Sequence, residues 1–176
     1  LLSENPENYD DAAIQAIRDL IGIKQSEPIP VQLIECIKMG TTVATNALLE
    51  RKGDATLLVI NQGFKDALEI GYQNRKDIFA RHILKPEMLY SKVIEVDARI
   101  MANGEVASEF SSASKAIAQK NMQKEFDNGV DSVAIVLMHA YKYPQHELEL
   151  KEIAQQIGFS QISVSHEVSP LMKLVG

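Results

Sequence analysis

Two short runs of apolar residues with no polar residue on alternate positions, Leu57-Leu58-Val59-Ile60 and Val133 to Met138, most constrain what this chain can fold into. A strand half exposed to water alternates apolar and polar residues, so an unbroken run requires cover on both faces. Helical periodicity comes after these runs. Leu150, Ile153, Ala154 and Ile157 make an apolar stripe ended by Gly158, and Ile162 to Ser165 reads as another strand. Ile117, Ala118, Met122 and Phe126 line one face of an earlier helix that Ser112 or Ser114 can cap and Asn128-Gly129 closes. Strands alternating with helices define an α/β protein with a mixed, largely parallel sheet and flanking helices.

Upstream, Ala13, Ile14, Ile17, Leu20 and Ile21 recur at helical spacing between Asp10-Asp11 and Gly22. Pro28 and Pro30 rule out a helix in the next segment, and Leu33 to Met39 reads as a short strand. Gly40-Thr41-Thr42 then turns into a helix from Val43 to Lys52, and Phe64 to Ile70 forms a short helix closed by Gly71. Lys92 to Met101 alternates as one strand, and Asn103-Gly104 is a two-residue hairpin signal that supplies an antiparallel edge. Residues 86–113 are a candidate seam between subdomains.

Charge excludes some partners. The 176 residues carry 18 basic and 24 acidic side chains, a net charge of −6, with no run of basic residues. Neither nucleic acid nor an anionic membrane is expected to bind such a surface. No apolar stretch approaches the roughly 20 residues of a membrane span. The single cysteine, Cys36, cannot form an internal disulfide, which suits a reducing cytoplasmic setting. The chain opens on Leu1 and closes in apolar sequence at Gly176, which reads as a section of a longer chain.

Ligands of parallel sheets bind at the carboxyl ends of the strands. At one such end Gly40, Thr41, Thr42 and Asn46 offer a close backbone approach, two hydroxyls and an amide, suited to a neutral amide or a carboxylate; an ordinary helix cap is the plainer alternative. At another, His139, Tyr141, His146 and Glu147 gather. They read equally as ligand-facing groups or as a bonded interior histidine and an acid at a helix start, and their spacing does not suit zinc. Gln73, Asn74 and Arg75 form a polar segment in which Arg75 can clamp a carboxylate, or a solvated loop. No phosphate-binding G-x-x-x-x-G-K loop, G-x-S-x-G elbow or H-E-x-x-H helix occurs, so no catalytic set is complete.

The run Met39 to Gly53, MGTTVATNALLERKG, resembles a signature of the hydantoinase/oxoprolinase N-terminal region. The likeness continues through Gly63-Phe64-Lys65-Asp66, Leu68 to Gly71, Gln73-Asn74-Arg75, Asp77-Ile78-Phe79, Leu137 to Tyr141 with Pro144 and His146-Glu147, and Ser165 to Pro170. Leu1 to Ala12 and Met39 look most like the branch that opens 5-oxoproline to glutamate, an amidohydrolase reaction coupled to hydrolysis of ATP with Mg²⁺. The resemblance implies an actin, hexokinase and sugar-kinase type of ATPase fold, a homo-oligomer, and a small cyclic amide as substrate, with N-methylhydantoins or the ketones of carboxylase subunits as alternatives. A binding or assembly module without catalysis is the rival of a different class. The family's phosphate turn is expected upstream of Leu1 and the rest of the ATP cleft beyond Gly176, so the section alone is expected to be inactive and to bind no ATP. The resemblance assigns Thr41, Thr42 and Asn46 to ligand contact, Gly40 and Thr41 to the nucleotide end, and Gln73, Asn74 and Arg75 to substrate orientation. His139, Tyr141, His146 and Glu147 would line or shape the cleft; no metal ligands and no catalytic residue are assigned.

Overall fold

The computed structural model describes residues 6–38, 40, 42–73, 79, 81–82 and 87–172, without the side chain of Val43. Two compact units result, Leu1–Val43 and Ala44–Gly176. In the first, helix α1 (Ala12–Ile21) starts where the Asp11 carboxylate accepts from the backbone N–H groups of Ala13 and Ile14, and ends at Gly22 with φ of +76°. Arg18 holds the adjoining loop by donating to the carbonyls of Lys24 and Glu27 at 2.7 and 2.6 Å. Of the strand expected over Leu33 to Met39, residues 33–38 are described and do not form it; Met39 lies outside the described residues. Val31–Leu33 is a single 3₁₀ turn and residues 34–38 are irregular. Glu35 and Lys38 interrupt the run, Val31 and Leu33 are more than two-thirds exposed, and a strand without a ladder partner has nothing to satisfy its backbone.

Helix α2 (Val43–Glu50) starts at the unit boundary, and the second unit is built on four parallel strands in the order β2-β1-β5-β6. These are β1 (Thr56–Asn61), β2 (Lys92–Val96), β5 (Ser132–Val136) and β6 (Gln161–Val164). Register aligns Leu57 with Val133 and Val59 with Ile135, and Ile135 in turn with Val164. Those side chains bury one sheet face beneath α4 (Ser112–Asp127) and α5 (Gln145–Ile157), which contribute Ala118, Met122, Leu150 and Ala154 to the same core. The unbroken apolar runs therefore occupy the centre of the sheet, where cover is greatest. Between β1 and β2 the expected short helix forms only over α3 (Ala67–Ile70).

Lys92 to Met101 is two strands rather than one. The chain leaves the main sheet after Val96, and β3 (Arg99–Ile100) pairs antiparallel with β4 (Val106–Ser108) in a separate two-stranded sheet. The Asn103-Gly104 hairpin thus exists but does not edge the main sheet, because the Asn61 side chain binds the carbonyl of Ala98 and turns the strand away. Gly104, at φ of +92°, is pressed by Tyr143, whose hydroxyl would lie 2.9 Å from an added Cβ. The cap of α4 is Ser111, whose hydroxyl accepts from the Ser114 N–H, rather than Ser112 or Ser114. No described helix is long and apolar enough to cross a membrane.

Candidate functional site

From β1 the chain crosses to β2 on one side, and from β5 to β6 on the other, so the carboxyl ends of β1 and β5 flank a topological switch point. Such a point leaves a crevice where adjoining connections diverge. Here it opens into a groove of about 550 Å³ lined by both strand ends, Phe64, Ala67, and residues of β6 and the next helix, α6 (Ser165–Val168). That size falls within the roughly 300–1,000 Å³ of small-molecule sites. The groove uses the sheet face that α4 and α5 leave free: Ile60, Ala134, Val136 and Ser163.

Asn61 organises the mouth. It ends β1, is buried, donates through Nδ2 to the Ala98 carbonyl, and accepts the Met138 N–H at 2.6 Å. One amide thereby joins β1, the exit of β5 and the entry to β3. Sequence reasoning passed over it; the available signal was a polar residue closing an apolar run immediately before Gln62-Gly63.

His139 and Tyr141 line the groove. His139 adopts φ of +62°, a left-handed conformation costing a non-glycine residue about 1–2 kcal/mol. Its carbonyl accepts from the N–H groups of Lys142 and Tyr143 at 3.0 and 2.9 Å, which holds the turn. Its Nδ1 lies 2.7 Å from the Ile100 carbonyl, and since a carbonyl only accepts, Nδ1 carries the proton. The Tyr141 ring stands edge-on to the imidazole at 6.4 Å.

His146 and Glu147 do not line the groove. His146 is half-buried against Phe110, with ring centroids 5.9 Å apart. Burial lowers its pKa below the ordinary histidine value, with Lys115 acting the same way and Glu149 and Glu109 opposing. The Glu147 side chain is fully buried and accepts four hydrogen bonds: from Leu137 N–H at 2.8 Å, the Ser165 hydroxyl at 2.6 Å, and His166 N–H and Nδ1 at 3.2 and 2.7 Å. A carboxylate so surrounded has no acceptor capacity to offer a ligand. It shapes the groove instead, by fixing the exits of β5 and β6 against α5. Beyond it, Lys151 pairs with Glu167 at 2.6 Å.

The remaining expected residues are placed as follows by the described part of the chain. Gly40 and Thr42 are exposed in the first unit; Asn46 on α2 and Gln73, at φ of +57°, are exposed in the second and lie outside the groove lining. Thr41, Asn74 and Arg75 lie outside the described residues. Arg99 was not foreseen. Its guanidinium stacks on the groove residue Phe64, 5.5 Å from the ring centroid, and its buried Nε has no hydrogen-bond partner among the described residues.

The described groove lining contains no Asp, Glu, Lys or Arg. A polyphosphate with its divalent ion needs cations or amide nests for the phosphates and carboxylates for the metal, so ATP and Mg²⁺ do not fit this donor set. Nor do the described residues gather three metal-ligating side chains. An apolar floor with an amide, an imidazole, a phenol and serine hydroxyls suits a small ring that presents both apolar and hydrogen-bonding groups.

The fold is an α/β segment built on a parallel sheet, with a crevice at the carboxyl ends of its two central strands. The chain belongs to the hydantoinase/oxoprolinase N-terminal region family, whose model matches residues 1–158. It is 40% identical to 5-oxoprolinase 1 of Arabidopsis thaliana over 197 aligned positions, and 40% identical to 5-oxoprolinase of Dictyostelium discoideum over 202. Each alignment takes in 99% of this chain and 16% of the relative, so the chain spans about one-sixth of the length of these curated relatives. Among solved structures, ATP-dependent caprolactamase from Pseudomonas jessenii shares the fold, with a TM-score of 0.71 at 23% identity over 97% of this chain and 25% of that one.

Proposed function

We propose that this chain is a section of an ATP-dependent 5-oxoprolinase, which opens the lactam of 5-oxo-L-proline to L-glutamate while hydrolysing ATP. The observation that carries the reading is 40% identity to proteins named 5-oxoprolinase along 99% of the chain. The groove supports it: a small cyclic amide meets an apolar floor and the side chains of Tyr141 and His139. An amide resists hydrolysis, and holding it in a shaped groove supplies orientation.

In this reading ATP and Mg²⁺ are held by other parts of the longer enzyme, and the whole has the architecture of the actin, hexokinase and sugar-kinase ATPases. It works in the cytoplasm, in glutathione recycling, as a homo-oligomer, and the section alone is inactive. Incubating a full-length protein carrying this segment with 5-oxoproline, ATP and Mg²⁺ should release glutamate and phosphate in equal amounts. Phosphate release only with N-methylhydantoins, or only with bicarbonate and a ketone, would move the protein to one of the sister activities. No ATP turnover with any of these would leave the non-catalytic module.

A further inference from the structure

We propose that His139 reads the ring N–H of the ligand, selecting secondary cyclic amides over ring systems that lack that hydrogen; this rests on the cyclic-amide reading of the groove. The Ile100 carbonyl fixes the tautomer, because Nδ1 at 2.7 Å must donate to it. In the neutral ring the proton is then spent on the protein side, and Nε2 is left with a lone pair and no hydrogen to give. Nothing among the described residues bonds Nε2, and it is not one of the buried orphan atoms, so the lone pair meets solvent on a residue that lines the groove.

Two further features hold the acceptor in place. The left-handed backbone at His139 is kept by the Lys142 and Tyr143 N–H groups, which fixes where the side chain leaves the turn, and the Nδ1 bond to the Ile100 carbonyl restrains the ring itself. Ile100, which supplies the fixing carbonyl, comes after Ala98 and Arg99, and Ala98 is itself bound by Asn61. The imidazole is therefore set by the same strand that the crevice floor anchors. An acceptor nitrogen in a groove without charged side chains among its described lining favours a ligand donor such as a lactam N–H. A lactone of the same shape places a ring oxygen against that lone pair and leaves it unpaired.

The experiment uses a full-length protein carrying this segment, and measures equilibrium binding by calorimetry together with turnover. The ligands are 5-oxoproline, its lactone counterpart 5-oxotetrahydrofuran-2-carboxylate, and N-methyl-5-oxoproline. Wild type should bind the N–H lactam about 10- to 100-fold more tightly than the lactone, the range expected when an acceptor loses its donor. His139→Asn tolerates the left-handed backbone and can still donate to Ile100, but has no atom at the Nε2 position. It should lose that preference, weakening lactam binding about 10-fold or more while lactone binding changes by less than about threefold. His139→Gln, which restores an acceptor near Nε2, should recover part of the preference even with the tether to Ile100 lost.

Equal wild-type binding of lactam and lactone, no binding of any of the three, or an equal loss for both in His139→Asn would overturn the proposal. Discriminating binding without glutamate release would sink the 5-oxoprolinase reading and leave the acceptor role standing. Glutamate release with an unaltered preference in His139→Asn would do the reverse.

Discussion

Replacing Asn61 should cost more than its single side chain suggests, because its two hydrogen bonds lie where three elements meet. Asn61→Leu has similar volume but removes both bonds. It leaves the Met138 N–H and the Ala98 carbonyl facing an apolar group in a site that is 2% exposed. At about 1–3 kcal/mol for each of the two buried polar groups left unpaired, the loss is about 2–6 kcal/mol. Asn61→Asp is the sharper test. Its carboxylate can still accept from Met138, but the other oxygen confronts the Ala98 carbonyl and repels it unless it carries a proton. Folding should therefore raise the pKa of the introduced carboxyl above about 3.9. An acid whose folded pKa is raised binds more protons folded than unfolded, so the variant loses stability as pH rises through that window. Urea unfolding followed by far-UV circular dichroism, which suits a chain with no tryptophan, should show Asn61→Asp clearly weaker than wild type near pH 7. The gap should narrow toward about pH 4.5. Asn61→Leu within about 1 kcal/mol of wild type, or an Asn61→Asp gap that ignores pH, would refute the reasoning.

Neighbouring groups give two further expected outcomes. Glu147→Gln keeps an acceptor for Leu137 and Ser165 but turns an amide NH₂ toward the backbone N–H of His166, a donor facing a donor. Its expected cost is about 1–3 kcal/mol, read as a fall in Tm of about 2–12 °C for a chain of this size; an unchanged Tm would mean the buried carboxylate is not the clasp described. His146, lowered chiefly by burial, binds fewer protons folded than unfolded, so stability should fall as pH drops below the ordinary histidine pKa of about 6.5. His146→Gln should flatten that part of the stability profile in urea titrations between about pH 7 and 5, whereas an identical slope would assign the effect to other groups.

Much of the framework was legible because it depends on local chemistry. Asp11 and Gly22 bracket α1, Gly158 ends α5, and the apolar runs of β1 and β5 occupy the centre of a parallel sheet, each for a reason contained within a few residues. The features that escaped depend on distant partners. Leu33 to Met39 has the composition of a strand, but composition does not supply a ladder. Asn61 looks like the first residue of a turn until β3 and β5 arrive on either side of it. Glu147 sits at a helix start, where an acid needs no further explanation, yet its four donors come from the exits of β5 and β6 and the start of α6. The histidine block likewise reads as one cluster in sequence, but in the fold His139 faces the groove and His146 turns to Phe110.

The central claim is that the crevice between β1 and β5 receives the ring of a small cyclic amide. A crystal structure of a full-length protein carrying this segment, soaked with 5-oxoproline, tests it most directly. Ligand density is predicted in the groove beside Asn61 and Tyr141, with the ring nitrogen within hydrogen-bond distance of His139 Nε2. Ligand density at a different site, with the groove filled by protein side chains, would contradict it.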